Sequence, residues 1–271
     1  MQHYEAVLPL QLKNLKLATF STNWANSAEL AEQKGWTYPH YLSHLCDLEI
    51  QKRQSNRLVH RIKESSLPRD KTLSSFDFQA NQVINAAQIN ALAESDSWIK
   101  KSQNIIIFGP SGVGKTHVAA AIAYRQIELG CRAKFHQTSH LVQILQQAKI
   151  QLRLKELLIK LDKIPLLLLD DLGYVKKDEH ETSVLFELIC HRYETGSLII
   201  TANQPFSQWD NIFPDNMMAV ASIDRLLHHA TVINITGESY RTKSKNKKVN
   251  LLKSAKLVDA GSALPHKKLN Y

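Results

Sequence analysis

The run Gly109-Pro110-Ser111-Gly112-Val113-Gly114-Lys115-Thr116 constrains this chain more than any other feature. It fits the pattern G-x-x-x-x-G-K-[ST], in which the backbone N–H groups of a glycine-rich turn and the amino end of the next helix cradle phosphates. That chemistry needs a strand before the turn and a helix after it. Here Ile105–Phe108 is a short apolar run, and Lys115–Leu129 is Ala-rich with helical periodicity. The context predicts a nucleotide-binding site formed by Gly109 to Thr116 and continuing into His117. Lys115 is expected to reach the β- and γ-phosphates, and the Thr116 hydroxyl to hold Mg²⁺.

The sequence around the motif alternates short apolar runs with helical patterns. Asn104–Phe108, Ala133–His136, Leu166–Asp170, Leu198–Thr201 and Val232–Ile235 read as strands, with helices such as Lys115–Leu129 and Thr182–Tyr193 between them. This alternation predicts an α/β fold whose mostly parallel sheet is covered on both faces. Ligands then collect at the carboxyl ends of the strands. Leu166-Leu167-Leu168-Leu169-Asp170-Asp171 ends in two acids at such a place. Asp170 is the candidate Mg²⁺-side carboxylate, and Asp171 the candidate base that polarises the attacking water. The other reading of these acids is a helix N-cap followed by an acidic turn. Asn203, after the strand Leu198–Thr201, is a candidate for orienting that water, by analogy with other folds of this class. Arg225 stands among apolar residues near a helix end and suits the stabilisation of γ-phosphate charge from a neighbouring subunit. The adjacent His228-His229 pair has no Cys, Asp or Glu at metal-ligand spacing, so the sequence offers no zinc site there.

Residues 1–72 read as a small helical domain, ahead of an ATPase-sized segment at 73–240 and a tail at 241–271. Leu8, Leu12 and Leu15 recur at helical spacing, Ser27–Lys34 is helix-forming before Gly35 stops it, and Thr37 reads as the N-cap of a long helix ending near Pro68. On that helix Arg53, Arg57 and Arg61 share one face, a stripe able to follow a DNA phosphate backbone or to serve as a solvated surface. The net charge of +9 sits almost entirely in the tail, where nine Lys/Arg stand against Asp259 alone. A nearly neutral body with a basic tail suggests an anionic partner such as nucleic acid, or else a solubilising extension. The longest apolar run, Ile164 to Leu169, is too short to span a bilayer, and Met1-Gln2-His3-Tyr4-Glu5 shows no secretory pattern. Three dispersed cysteines, Cys46, Cys131 and Cys190, fit a reduced, cytoplasmic chain.

Several motifs in fixed order resemble the IstB family, AAA+ ATPase helpers of insertion-sequence transposition related to DnaC-type helicase loaders. They are the phosphate loop, Asp170-Asp171-Leu172-Gly173-Tyr174, Leu185-Phe186, Arg192-Tyr193-Glu194, Thr201-Ala202-Asn203, Phe206-Ser207-Gln208-Trp209, Asp224-Arg225-Leu226-Leu227-His228-His229 and Gly237-Glu238-Ser239-Tyr240-Arg241. Upstream, Leu15-Lys16-Leu17, Lys71-Thr72-Leu73 and Phe76-Asp77-Phe78 fit as well, so the resemblance covers about Leu12 to Arg241. It implies an AAA+ ATPase that binds ATP and Mg²⁺, oligomerises with itself on duplex DNA and assists a partner transposase in target selection and strand transfer. It gives Lys115 and Thr116 to phosphate and magnesium, Asp170 and Asp171 to the Walker B pair, Asn203 to the sensor and Arg225 to a finger acting on a neighbour's ATP. The chain departs from many AAA+ proteins in carrying Asp171 where they carry Glu, and in lacking an evident helical lid. The shorter acid implies slow hydrolysis, with nucleotide acting more as an assembly switch than as fuel. A helicase loader and a P-loop kinase of a small substrate are the alternative readings.

Overall fold

Continuous apolar runs, rather than alternating ones, make strands that must be covered on both faces, and the computed structural model shows that burial directly. It describes residues 2–79, 84–172, 179–205, 208–209, 216–237 and 239–240. The basic tail, Gly173, Tyr174, Phe206, Ser207, Glu238 and Arg241, all part of the sequence-based reading, lie outside the described residues. Two compact units divide the chain, Met1–Glu64 and Ser65–Tyr271, so the boundary expected near Thr72 falls inside the second unit. Among the described residues, no helix is long and apolar enough to cross a membrane.

The first unit is helical: α1 (Gln2–Asn14), α2 (Ala18–Lys34) and α3 (Tyr38–Ser65). Leu12, Phe20 and Leu45 form its buried centre, with Leu8, Trp24 and Tyr41 packed around them. Gly35 closes α2 at φ 63°, a left-handed cap that glycine adopts without a Cβ penalty. Thr37 caps α3 through its hydroxyl, which accepts from the His40 N–H at 3.4 Å. α2 starts nine residues before the expected Ser27, because Ala18 to Asn26 carries Phe20 and Trp24 at helical spacing onto the centre of the unit.

The second unit opens with α4 (Ala86–Glu94) and the short α5 (Ser97–Lys100). It then alternates β1 (Asn104–Phe108), α6 (Lys115–Glu128), β2 (Ala133–Gln137), α7 (Thr138–Ile150), α8 (Leu154–Asp162), β3 (Leu166–Leu172), α9 (Glu179–Arg192), β4 (Ser197–Ala202), α10 (Asn216–Leu227) and β5 (Ala230–Asn234). The sheet is wholly parallel in the order β2-β3-β4-β1-β5. Leu166 to Leu169 and Ile105 to Ile107 are fully buried, and α6 packs Val118 to Ala123 on the same core. Arg192 is 2% exposed and still charged at neutral pH, although burial pulls its pKa down to about 10. Its guanidinium donates to the carbonyls of Leu161, Ile164, Pro165 and Ser197, so it ties the amino ends of β3 and β4 together.

His136, on the edge strand β2, has a buried Nε2 with no hydrogen-bond partner. Burial, and then the charges of Lys134 and His140, depress its pKa from 6.5 to about 4. The folded protein therefore holds fewer protons than the unfolded chain between these values. Stability is expected to fall as pH drops below 6.5, by up to about 2 kcal/mol at pH 5 from this residue. Thermal melts at pH 7 and 5 check this, since His136→Leu should lose less stability on acidification than the native chain.

Candidate functional site

The carboxyl ends of β3, β4 and β1, neighbours in the sheet, set the predicted residues in one row. Strands stand about 4.8 Å apart, so Asp170 near the end of β3, Asn203 after β4 and the loop after β1 are within reach of one small ligand. Lys115 is 5% exposed, and its Nζ donates to Gly109 O and Pro110 O at 2.8 Å each and to Asn203 Oδ1 at 2.6 Å. These three acceptors hold the ammonium inside the loop. A buried cation on a glycine-rich turn fits a phosphate.

The loop is also packed from behind by the segment after β5. Ile235 N donates to Phe108 O, and Tyr240 N donates to Gly112 O at 3.0 Å. A Cβ on Gly109 would lie 1.9 Å from Ile235 O, and one on Gly112 would lie 2.1 Å from Ser239 Oγ. Both positions have φ in the left-handed region, at 149° and 84°. These glycines are needed as much for this close approach as for the turn itself.

The two acids differ because the ladder slips between them. Leu169 pairs with Ile200 but Leu172 with Ala202, so β3 carries one extra residue, a bulge that interrupts the inward–outward alternation. Asp170 turns inward, 6% exposed, with its Oδ1 accepting from Thr201 Oγ1 at 2.6 Å and its carbonyl accepting from Thr138 Oγ1. Asp171 turns outward at φ 57°, a conformation that Asp tolerates better than most residues. Its N–H donates to the same Thr201 hydroxyl at 2.9 Å. Thr201 thus fixes both acids at once, a role its place in the strand Leu198–Thr201 did not reveal.

Two predicted residues make contacts that their spacing did not suggest. The His117 side chain faces away from the phosphate loop. Its Nε2 faces Thr72 O at 3.0 Å and Ser75 Oγ at 3.2 Å, and its ring meets Phe76 edge-on at 5.0 Å. Residues two apart on a helix do not share a face, so His117 points away from the row that Lys115 joins. Phe76 itself lies against Gly114, which makes the Thr72–Phe76 segment one wall of the loop. Arg53 is not simply a member of a solvent-facing stripe. It pairs with the buried Glu49 at 2.7 Å and donates to Lys16 O at 2.8 Å, closing the turn between α1 and α2, while Glu49 also accepts from Thr19 N–H. Arg57 is exposed and Arg61 half-buried. Arg53→Gln is expected to lower the stability of the intact protein by about 1 kcal/mol, whereas Arg57→Gln and Arg61→Gln leave it unchanged; thermal unfolding of the three variants checks this.

Arg225 lies in the last turn of α10, at the amino end of the sheet, with its guanidinium 5.7 Å from the Phe186 ring and one N–H on Ala221 O. The phosphate loop is at the other end of β1, a strand about 16 Å long. The structure does not bring Arg225 to its own loop.

Residues 10–248 match the profile of the IstB-like ATP binding protein family. The chain belongs to that family. An insertion-sequence ATP-binding protein of Sinorhizobium fredii is 48% identical over 89% of this chain and 80% of its own length. The ATP-binding protein of insertion sequence IS21 from Pseudomonas aeruginosa is 37% identical over 89% of this chain and 90% of its own. Among solved structures, DnaI superposes with a TM-score of 0.52 and 23% identity, covering 63% of this chain and 95% of that one. The five-stranded parallel sheet with flanking helices is the AAA+ fold that the resemblance implied, shared with DnaI, and a helical segment precedes it.

In this IstB-like protein, several motif residues without a role assigned from sequence are connectors. Thr201 bridges the two acids, and Ser239 and Tyr240 carry the end of the sheet back onto the phosphate loop. Their motifs, Thr201-Ala202-Asn203 and Gly237-Glu238-Ser239-Tyr240-Arg241, were part of the resemblance. Only their contacts show why a hydroxyl or a small residue stands there.

Proposed function

We propose that this protein is an ATPase that assembles on duplex DNA when ATP is bound and helps the transposase of its own element in target selection and strand transfer, working in the cytoplasm. The observation that carries this reading is the row formed by Lys115, Asn203, Asp170 and Asp171 across three adjacent strands, in a chain whose relatives are insertion-sequence ATP-binding proteins. Lys115 exchanges the carbonyls of Gly109 and Pro110 for β- and γ-phosphate oxygens, and Thr116 and Asp170 hold Mg²⁺. The ion, when bound, neutralises charge on the phosphates. Asn203, released from Lys115, orients the attacking water, and Asp171 takes its proton at the outward face of the bulge. Arg225 reaches the γ-phosphate of a neighbouring copy, a role that its distance from its own loop favours. Arg57 and Arg61, on a helix shaped by Arg53, meet DNA phosphates, and the basic tail adds a contribution independent of nucleotide. The DnaI likeness is one of fold alone and gives the helicase-loader reading no observation of its own.

Lys115→Ala removes a charge-assisted contact of about 1.5–3 kcal/mol, so ATP affinity is expected to fall about 10- to 150-fold. In reconstituted strand transfer with the element's transposase, the native protein with ATP should stimulate joining and Lys115→Ala should not. Unchanged ATP affinity in the variant would remove the phosphate loop from the reading. Absence of any stimulation by the native protein would remove the transposition role while leaving the ATPase intact.

A further inference from the structure

The fold gives the His228-His229 pair the acid that the sequence denied it. α9 ends at Arg192 and turns through Tyr193 and Glu194 toward β4, while α10 ends at Leu227 and turns through the two histidines into β5. With every strand parallel, both turns lie at the amino end of the sheet. One ligand atom each from Glu194, His228 and His229 lies within 4.8 Å of the other two. We propose that these three side chains form a binding site for Zn²⁺ or a chemically similar divalent transition-metal ion, with a fourth coordination position open to solvent.

The donor set favours that class of ion. Two imidazole nitrogens and one carboxylate match zinc sites with three protein ligands and an exchangeable water, whereas Mg²⁺ and Ca²⁺ select oxygen donors. Ligand atoms about 2.1 Å from a tetrahedral ion stand about 3.4 Å apart, a closing movement that exposed side chains make by small rotations. Both turns are already fixed. The Tyr193 hydroxyl lies 2.9 Å from His228 Nδ1, which orients the ring and leaves Nε2 as its ligand, the kind of outer partner that metal-bound histidines have. His228 N–H donates to Asp224 O, and His229 O accepts from Asn104 N at the foot of β1. Glu194 sits at φ 59° in a turn closed by Thr195 N and Gly196 N on Arg192 O. The two histidine rings stand 4.0 Å apart with planes at 51°. Bound metal would join the α9–β4 turn to the end of α10, one turn from Arg225.

The test uses the full chain, freed of metal with a chelator and titrated with Zn²⁺ in excess Mg²⁺ without nucleotide, against a chromophoric competitor. One equivalent of Zn²⁺ is expected to bind, and Glu194→Gln, His228→Gln and His229→Gln should each weaken it at least tenfold. Lys115→Ala should bind as the native chain does. Zn²⁺ should raise the melting temperature of the native protein and leave that of Glu194→Gln unmoved. No stoichiometric binding, or binding undiminished by all three substitutions, overturns the proposal. So does loss of binding only in His40→Gln, which would move the site to the His40/His44 pair one turn apart on α3. Should a histidine variant unfold, carbethoxylation of the native protein decides. Zn²⁺ must protect His228 and His229 while exposed His140 stays reactive, and equal modification with and without the ion overturns the site.

Discussion

Asp171→Asn is expected to bind ATP with native affinity and to hydrolyse it at least a hundredfold more slowly. The substitution removes the carboxylate that accepts the water's proton, a contribution of about 10²- to 10⁴-fold when a positioned base is lost. The contacts of Thr201 at the bulge survive it. Asn tolerates the left-handed backbone at φ 57° about as well as Asp, the N–H still donates to Thr201 Oγ1, and Asp170 keeps its own bond to the same hydroxyl. Nucleotide titration and single-turnover phosphate release, measured on the same preparation, separate the two effects. Hydrolysis at the native rate would assign the base elsewhere. A parallel loss of affinity would mean that Asp171 positions nucleotide rather than water. The bulge also bears on why an Asp stands where many AAA+ proteins carry Glu. The outward turn at a positive φ is a conformation in which the shorter acid is less strained.

The strands were legible because burial on both faces leaves an unbroken apolar run, as in Leu166 to Leu169, and β1, β3 and β4 begin within a residue of where those runs start. The phosphate loop was legible because its chemistry is local: eight consecutive residues carry it. What the sequence hid is whatever depends on pairing between distant segments. The bulge at Asp170–Asp171 exists only relative to β4, so nothing in Leu169-Asp170-Asp171-Leu172 announces which acid faces inward. His117 follows the motif directly, yet helical geometry turns it toward Thr72 and Ser75, residues about forty positions upstream. Those same contacts pack Thr72 and Ser75 onto the start of α6. Arg53 fits a basic stripe by spacing, but its partner Lys16 O lies in the turn between α1 and α2, far away in sequence. Glu194 meets His228 and His229 only because two turns share one end of a parallel sheet, and spacing along the chain cannot report that.

Arg225→Ala is expected to bind ATP nearly normally and to lose hydrolysis by about 10³-fold or more, the usual contribution of an arginine finger. The argument rests on where the residue stands. From the last turn of α10 its guanidinium rests over Phe186, a β1-length away from its own Lys115, so a direct contribution to its own site would require the helix end to unwind. A neighbouring copy that offers its α10 end to this phosphate loop needs no such change. Mixing distinguishes the two cases. Lys115→Ala supplies an intact Arg225 and no competent nucleotide site, while Arg225→Ala supplies the site and no finger. Hybrid interfaces between them should recover part of the native turnover, most at intermediate mixing ratios, although each protein alone is inactive. Cross-linking verifies that mixed assemblies form. If they form and turnover stays at the level of the inactive parents at every ratio, Arg225 acts within its own subunit or through the packing of α10 on Phe186. Arg225→Met then separates those two outcomes, because it keeps an unbranched apolar side chain packed against Phe186 but removes the charge and the planar, two-pronged contact with a phosphate.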